Sequence, residues 1–192
     1  MSKDFKLVSP FPEEFYPLVW ELLQEFSRET LDDRSPKSLD ELIEKDRRDR
    51  ESGGLSFAVV GEDGIPVGAV WCEAIGDGLG IGHLVFSRYE LTGGQKLEAT
   101  TAAVAMMFAA GMRKISWSLF SDNRPFHMFL RKLGAVEEGT FRRHLIAENG
   151  RIRDMVYFSI LDTEWPGVRA RLRARLARYA PPSGATGPAE AK

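Results

Sequence analysis

The sequence predicts an α/β domain built on a mixed sheet flanked by helices. Three observations carry that prediction. The apolar pattern changes along the chain from helical spacing to short β-rich runs and back. Three strand-like runs separated only by tight turns, at 55–60, 67–74 and 80–87, read as an antiparallel meander. A long alanine- and methionine-rich segment without proline, 97–112, then separates two strand-like runs, the pattern of a right-handed β–α–β crossover. At 192 residues the chain suits one domain with a sizeable core.

The elements follow in order. Lys6-Leu7-Val8 reads as a first strand, ended by Pro10 and Pro12. Pro12 with Glu13 and Glu14 suits a helix start, because proline lacks only an amide that the first turn leaves unbonded, and carboxylates favour the positive dipole end. Phe15, Leu18, Val19, Leu22, Leu23 and Phe26 then recur at helical spacing, and a polar loop runs from Arg28 to Pro36. Ser38-Leu39-Asp40-Glu41 has capping-box spacing and opens a charged helix to about Arg50, stopped by Ser52-Gly53-Gly54. Within the meander the turns are Glu62-Asp63-Gly64 and Gly76-Asp77-Gly78, and Thr92-Gly93-Gly94 breaks the last strand. A strand at 114–120 follows the long helix. Asn123 is an N-cap with Pro125 in the first turn of a short helix that Gly134 closes. Strands at 140–148 and 153–161 are joined by Asn149-Gly150, a strong hairpin signal. A last helix spans 164–179. The expected division is one domain over 1–165, a basic amphipathic helix over 166–180 and a disordered tail over 181–192, which has little to bury.

Composition narrows the function classes. A net charge of -2 supplies no field to recruit nucleic acid or an anionic membrane. Cys72 is the only cysteine, so no internal disulfide forms, which fits a cytoplasmic location. No apolar run follows the first residues, so no secretory signal is read, and no stretch of about 18 apolar residues reads as a membrane span. Three histidines without metal-ligand spacing predict no zinc site.

The local sequence adds a resemblance. Asn123-Arg124-Pro125, Leu130-Arg131-Lys132-Leu133-Gly134-Ala135, Glu138-Gly139, Asn149-Gly150, Asp154 and Tyr157-Phe158-Ser159-Ile160-Leu161 recur in an order that resembles the C-terminal half of the GNAT acyltransferases. The element order also resembles that superfamily, over about residues 5–165, and within it the Rim-type enzymes that acetylate protein N-termini. The resemblance implies a sheet splayed between strands four and five, with acetyl-CoA as cosubstrate. Its pantetheine would lie along Leu84, Val85 and Phe86, whose amides polarise the thioester carbonyl. Its pyrophosphate would meet the backbone of Thr92, Gly93, Gly94, Gln95 and Lys96 at a helix N-terminus, where free N–H groups and the dipole favour an anion. Asn123 would bond the pantetheine amides, a role compatible with helix capping.

The match to the family pattern is incomplete. In Leu91-Thr92-Gly93-Gly94-Gln95-Lys96 the central Gly94 is kept, but Leu91 replaces a glutamine or arginine and Lys96 replaces a small residue. Lys96 either fills the phosphate space or supplies a charge, as Arg88 also could. Phe126 stands where many relatives have serine, and Leu130 where the family's tyrosine acid would fall; Rim-type relatives often lack that tyrosine, and a thiolate leaves with little help.

For the base that frees the amine, His83 on the fourth strand is the first candidate, since imidazole exchanges protons near neutral pH. Glu73 on the preceding strand is the second. His83 also reads as an ordinary residue of a half-buried strand, and Glu73 as a solvent-facing strand residue. His127, His144 and Asp154 read as structural, and Cys72 as core packing. The final helix sets Trp165, Val168, Leu172, Leu176 and Tyr179 on one stripe and arginines on the others, which suits docking on its own domain or on a second subunit, so that a homodimer is allowed. Two functions remain open: acetyl transfer from acetyl-CoA to a primary amine, and a non-catalytic structural or interaction module, such as a component of a phage particle or complex, with a lapsed cofactor loop.

Overall fold

A computed structural model describes residues 4–25, 36–87, 89–147 and 150–178. The expectations for Phe26, the loop from Arg28 as far as residue 35, Arg88, Asn149, Tyr179 and the tail 181–192 lie outside these residues.

Seven strands form one sheet: β1 (Phe5–Val8), β2 (Leu55–Gly61), β3 (Pro66–Gly76), β4 (Leu79–Phe86), β5 (Lys114–Phe120), β6 (Val136–Ile146) and β7 (Ile152–Leu161), in the order β1-β2-β3-β4-β5-β7-β6. Every neighbouring pair is antiparallel except β4–β5. The helices are α1 (Tyr16–Glu25), entered through a 3-10 turn at Glu13–Phe15, α2 (Leu39–Glu51), α3 (Gly93–Ala109), α4 (Arg124–Leu133) and α5 (Trp165–Leu176).

The side-chain alternation of the strands divides the core between two faces. Phe11, Tyr16, Val19, Leu22, Leu23 and Leu42 of the α1–α2 layer pack on Ala58, Val60, Ala69 and Val85. On the other face Phe57, Val59, Cys72, Phe86, Ile115, Trp117 and Phe158 pack against α3, α4 and α5. Burial pushes the Cys72 thiol up to about 12, so this cysteine is a core residue.

Several boundaries differ from the sequence expectation. Helix α3 begins at Gly93 rather than at 97, because Thr92 and Gln95 cap it reciprocally: Gln95 N donates to Thr92 Oγ1, and Thr92 N donates to Gln95 Oε1. Strand β6 begins at Val136 rather than at 140, pairing Val136 with Ser159. Its ladder breaks between Phe141 and Leu145, where Arg143 has φ +51° and its amide donates to Asp154 Oδ1 at 2.7 Å. The last helix ends at Leu176.

Helix α5 docks on its own domain. Trp165, Val168 and Leu172 are buried in the core, and Arg175 donates to the Lys132 carbonyl at 2.9 Å. Gly134 closes α4 beneath it with φ +94°, and a Cβ there would lie 2.9 Å from Val168 Cγ1, so conformation and space both require glycine. Truncating Leu172 to Ala should therefore cost about 2–5 kcal/mol in urea unfolding. A loss below about 1 kcal/mol would mean that α5 is not part of the cooperative core.

Candidate active site

The β4–β5 pairing is short. Only Leu79, Gly80 and Ile81 pair with Lys114, Ile115 and Ser116. Beyond these rungs β4 stays bound to β3 as far as Phe86, and β5 stays bound to β7 as far as Phe120, so the two strands part and leave a gap. Alternate residues of a strand turn their amides to opposite neighbours. Ser87 N donates to Val67 O, so Val85 and His83 also face β3, while Leu84 and Phe86 turn their amides into the gap. Val85 differs from these two: its amide faces β3 and its side chain is buried in the core of the α1–α2 face.

The N-terminus of α3 follows the C-terminal end of β4. The capping box occupies Thr92 and Gln95, and Lys96 N bonds to Thr92 O at 3.0 Å. This leaves the amides of Gly93 and Gly94 without a carbonyl partner among the described residues. Leu91 packs into the core and anchors the turn by apolar contact. Lys96 is half-buried with no acceptor among the described residues, and burial lowers its pKa.

On the α1–α2 face a cavity of about 340 Å³ opens beside the gap, walled by Tyr16, Trp71, Ile81, Leu84, Ser118 and Phe126 among others. His83 and Glu73, separate in the sequence, meet here, because Trp71 pairs with His83 and Glu73 with Ile81 on adjacent strands. The His83 ring stacks on Trp71 at 5.1 Å, and its Nε2 lies 3.8 Å from Glu73 Oε2. That contact is electrostatic, being too long for a hydrogen bond. Lys45 of α2 is the firmer partner of Glu73: its Nζ donates to Glu73 Oε2 at 2.8 Å and to Asp49 Oδ2 at 3.1 Å.

These neighbours set the charges. His83 and Lys45 outweigh partial burial and hold the Glu73 carboxyl down to about 2. Burial alone would lower the pKa of Lys45, but its bonds to Glu73 and Asp49 raise it. Burial raises that of Asp49 despite Lys45. Further along the wall Tyr16 donates to Asp46 Oδ2 at 2.6 Å and Arg50 Nε lies 2.9 Å from the same oxygen; burial and then Asp46 raise the phenol's pKa. Lys45, Asp46, Asp49 and Tyr16 were not among the sequence candidates. For Lys45, Asp46 and Asp49 the only sequence signal is i, i+4 charge spacing on α2, which any solvated helix also carries, and Tyr16, on α1, lacks even that.

The remaining candidates have structural partners. Asn123 caps α4, accepting from Phe126 N at 3.3 Å. His127 lies 3.1 Å from Glu137 and edge-on to Phe158. His144 lies among Phe141 and Tyr157. Leu130, at the position where the family's tyrosine would fall, is fully buried.

With its mixed sheet splayed between β4 and β5, the chain has the fold of the GNAT acetyltransferases. The same fold is seen in a GCN5-related N-acetyltransferase from Brucella melitensis, at 23% identity and TM-score 0.70, covering 91% of this chain and 83% of that one. A mutant of the spermidine N-acetyltransferase from Vibrio cholerae matches at 18% identity and TM-score 0.71, covering 84% and 96%. The ribosomal-protein-S5-alanine acetyltransferase from Vibrio fischeri matches at 16% identity and TM-score 0.68, covering 86% and 96%. No protein-family model matches the chain, and no curated protein matches it. Among the described residues no helix is long and apolar enough to cross a membrane.

The depressed pKa of Glu73 has a stability consequence. The folded protein keeps this carboxylate charged where the unfolded chain, titrating near 4.5, already takes up protons. The stabilisation is complete above pH 4.5 and is lost as the pH falls towards 2. Melting temperatures of the wild type and Glu73→Gln should therefore differ most above about pH 5 and converge towards about pH 3. A difference that stays constant over that range would show that the charge of Glu73 contributes nothing.

Proposed function

We propose that the protein is an N-acyltransferase that moves an acetyl group from acetyl-CoA to a primary amine, acting in the cytoplasm. The observation that carries this reading is the β4–β5 gap, which runs from the open amides of α3 to a cavity on the α1–α2 face. The residues fit the cosubstrate. Gly93 and Gly94 offer amides to the pyrophosphate, Thr92 and Gln95 hold that turn in shape, and Lys96 adds a positive charge. Leu84 and Phe86 offer amides along the gap to pantetheine, and Asn123 lies at the start of α4 on the β5 side.

The amine would enter the cavity, where Asp46, Asp49 and Glu73 outnumber Lys45 and Arg50 and favour a cation. Simple amines are ammonium ions at neutral pH, so a proton must leave before attack. A carboxylate with a pKa about 2 is a weak base, which favours His83 for that step and leaves Glu73 to orient the imidazole. The amine nitrogen then bonds to the acyl carbon and the carbon–sulfur bond breaks. One ammonium proton leaves through His83 to solvent, and the second ends on the thiolate. The acceptor is a protein N-terminus, as for the Rim-type enzymes, a lysine, or a small amine. Leu91, apolar where the family pattern has a polar residue, is the feature that favours the alternative of a non-catalytic module.

Calorimetry with acetyl-CoA tests the reading. Binding is expected, and the absence of heat at millimolar ligand would leave only the non-catalytic module. Lys96→Ala should weaken binding several-fold, more so at low salt, if the ammonium meets phosphate. Tighter binding would mean that this side chain blocks the site.

The base is tested separately. His83→Ala should lower turnover roughly 10²-fold with little change in acetyl-CoA affinity, and raising the pH should restore part of the rate by supplying neutral amine. Unaltered turnover would remove His83 from the mechanism, and Glu73→Gln would be tested next.

A further inference from the structure

Trp117 is the first β5 residue beyond the last rung shared with β4, and it remains paired with Phe158 of β7. Its side chain is 2% exposed. The indole Nε1 is buried, and among the described residues nothing accepts its hydrogen. A buried donor without a partner carries an uncompensated desolvation cost. The position of this donor is specific. A Cβ on Gly82, the first β4 residue beyond the fork, would lie 2.4 Å from Trp117 Nε1. The indole nitrogen therefore rests against the Gly82 backbone, at the closed end of the gap.

The other end of the gap is marked by the amides of Gly93 and Gly94, just past Phe86. An arm anchored there and running back along β4 passes Phe86 and Leu84 and reaches Gly82 after roughly 13 Å of extended strand. Its reactive end arrives beside Trp117. Ile81, Gly82, His83, Leu84 and Ser118 border both this point and the cavity. Strand alternation sends His83 to the α1–α2 face and Gly82 and Trp117 to the α3 face. A donor on the α3 face would draw the carbonyl oxygen away from the cavity and turn the acyl carbon towards an amine entering from the His83 side.

We propose that the Trp117 indole N–H donates a hydrogen bond to the acyl carbonyl oxygen of the bound thioester, adding a side-chain donor to the backbone amides of β4. This rests on the acyl-CoA reading above. The bond would hold the carbonyl in the ground state and strengthen as negative charge develops on the oxygen during attack.

The test compares two ligands by calorimetry: acetyl-CoA, and CoA, which has no acyl carbonyl. In Trp117→Phe the affinity for acetyl-CoA should fall roughly 5-fold while that for CoA stays unchanged. Turnover at saturating substrate should fall roughly 10²-fold. Equal losses for both ligands, or no loss for either, would overturn the assignment. If the wild type binds neither ligand, the acyl-CoA reading itself fails, an outcome distinct from these. Should the phenylalanine variant not fold, 3-benzothienylalanine at position 117 keeps the shape of the ring and replaces only the N–H, and the same contrast between ligands decides.

Discussion

Three rungs of parallel pairing join β4 to β5, and the site follows from the fact that there is no fourth. Buried backbone amides need acceptors, and a strand that loses its neighbour must find them elsewhere. Here the strands are not free to close again. β4 is held by its ladder to β3 and β5 by its ladder to β7, so the separation is set by two rigid half-sheets rather than by a loop. A groove of this kind presents main-chain donors, which depend on register more than on residue type. That explains how Leu84 and Phe86, unremarkable as side chains, can border a polar ligand.

The two faces of the sheet take different parts. On the α3 side lie the helix N-terminus and the buried core, suited to a long anionic ligand with an apolar arm. On the α1–α2 side a chain of polar side chains, Asp49–Lys45–Glu73–His83, crosses from helix to strand. Lys45 anchors α2 to β3 and at the same time keeps Glu73 ionised. One ion pair thus ties the wall of the cavity together from helix to strand.

Much of the frame could be read from residues. The meander, the crossover helix, the Asn123 cap and the Gly134 stop follow from local chemistry, and the structure has each of them. The start of α3 was obscured because Gly93 and Gly94 read as breakers, whereas Thr92 and Gln95 carry the opposite instruction in a capping box. Glu137, Glu138 and Gly139 lack β propensity and so hide the start of strand β6, and pairing with β7 overrides that. The β4–β5 split came from family resemblance, since no residue pattern marks where a ladder stops. The cavity wall was not legible either. Lys45 with Asp49 and Asp46 with Arg50 have the spacing of ordinary surface ion pairs, and only packing decides which helical face turns inward.

The break in β6 matters for the outer border of the sheet. An edge strand exposes a row of unpaired donors and acceptors, and β6 is long and largely exposed, with Phe141 and Ile146 open to solvent. A continuous edge of that composition would template the addition of another strand and lead towards aggregation. The interruption between Phe141 and Leu145, with the left-handed turn at Arg143, divides this edge into shorter pieces, and the exposed charges of Glu137, Glu138, Arg142 and Arg143 further oppose templating. The opposite edge, β1, is limited by its four residues. The chain can therefore end its sheet in water on both sides, one edge protected by brevity and the other by a kink.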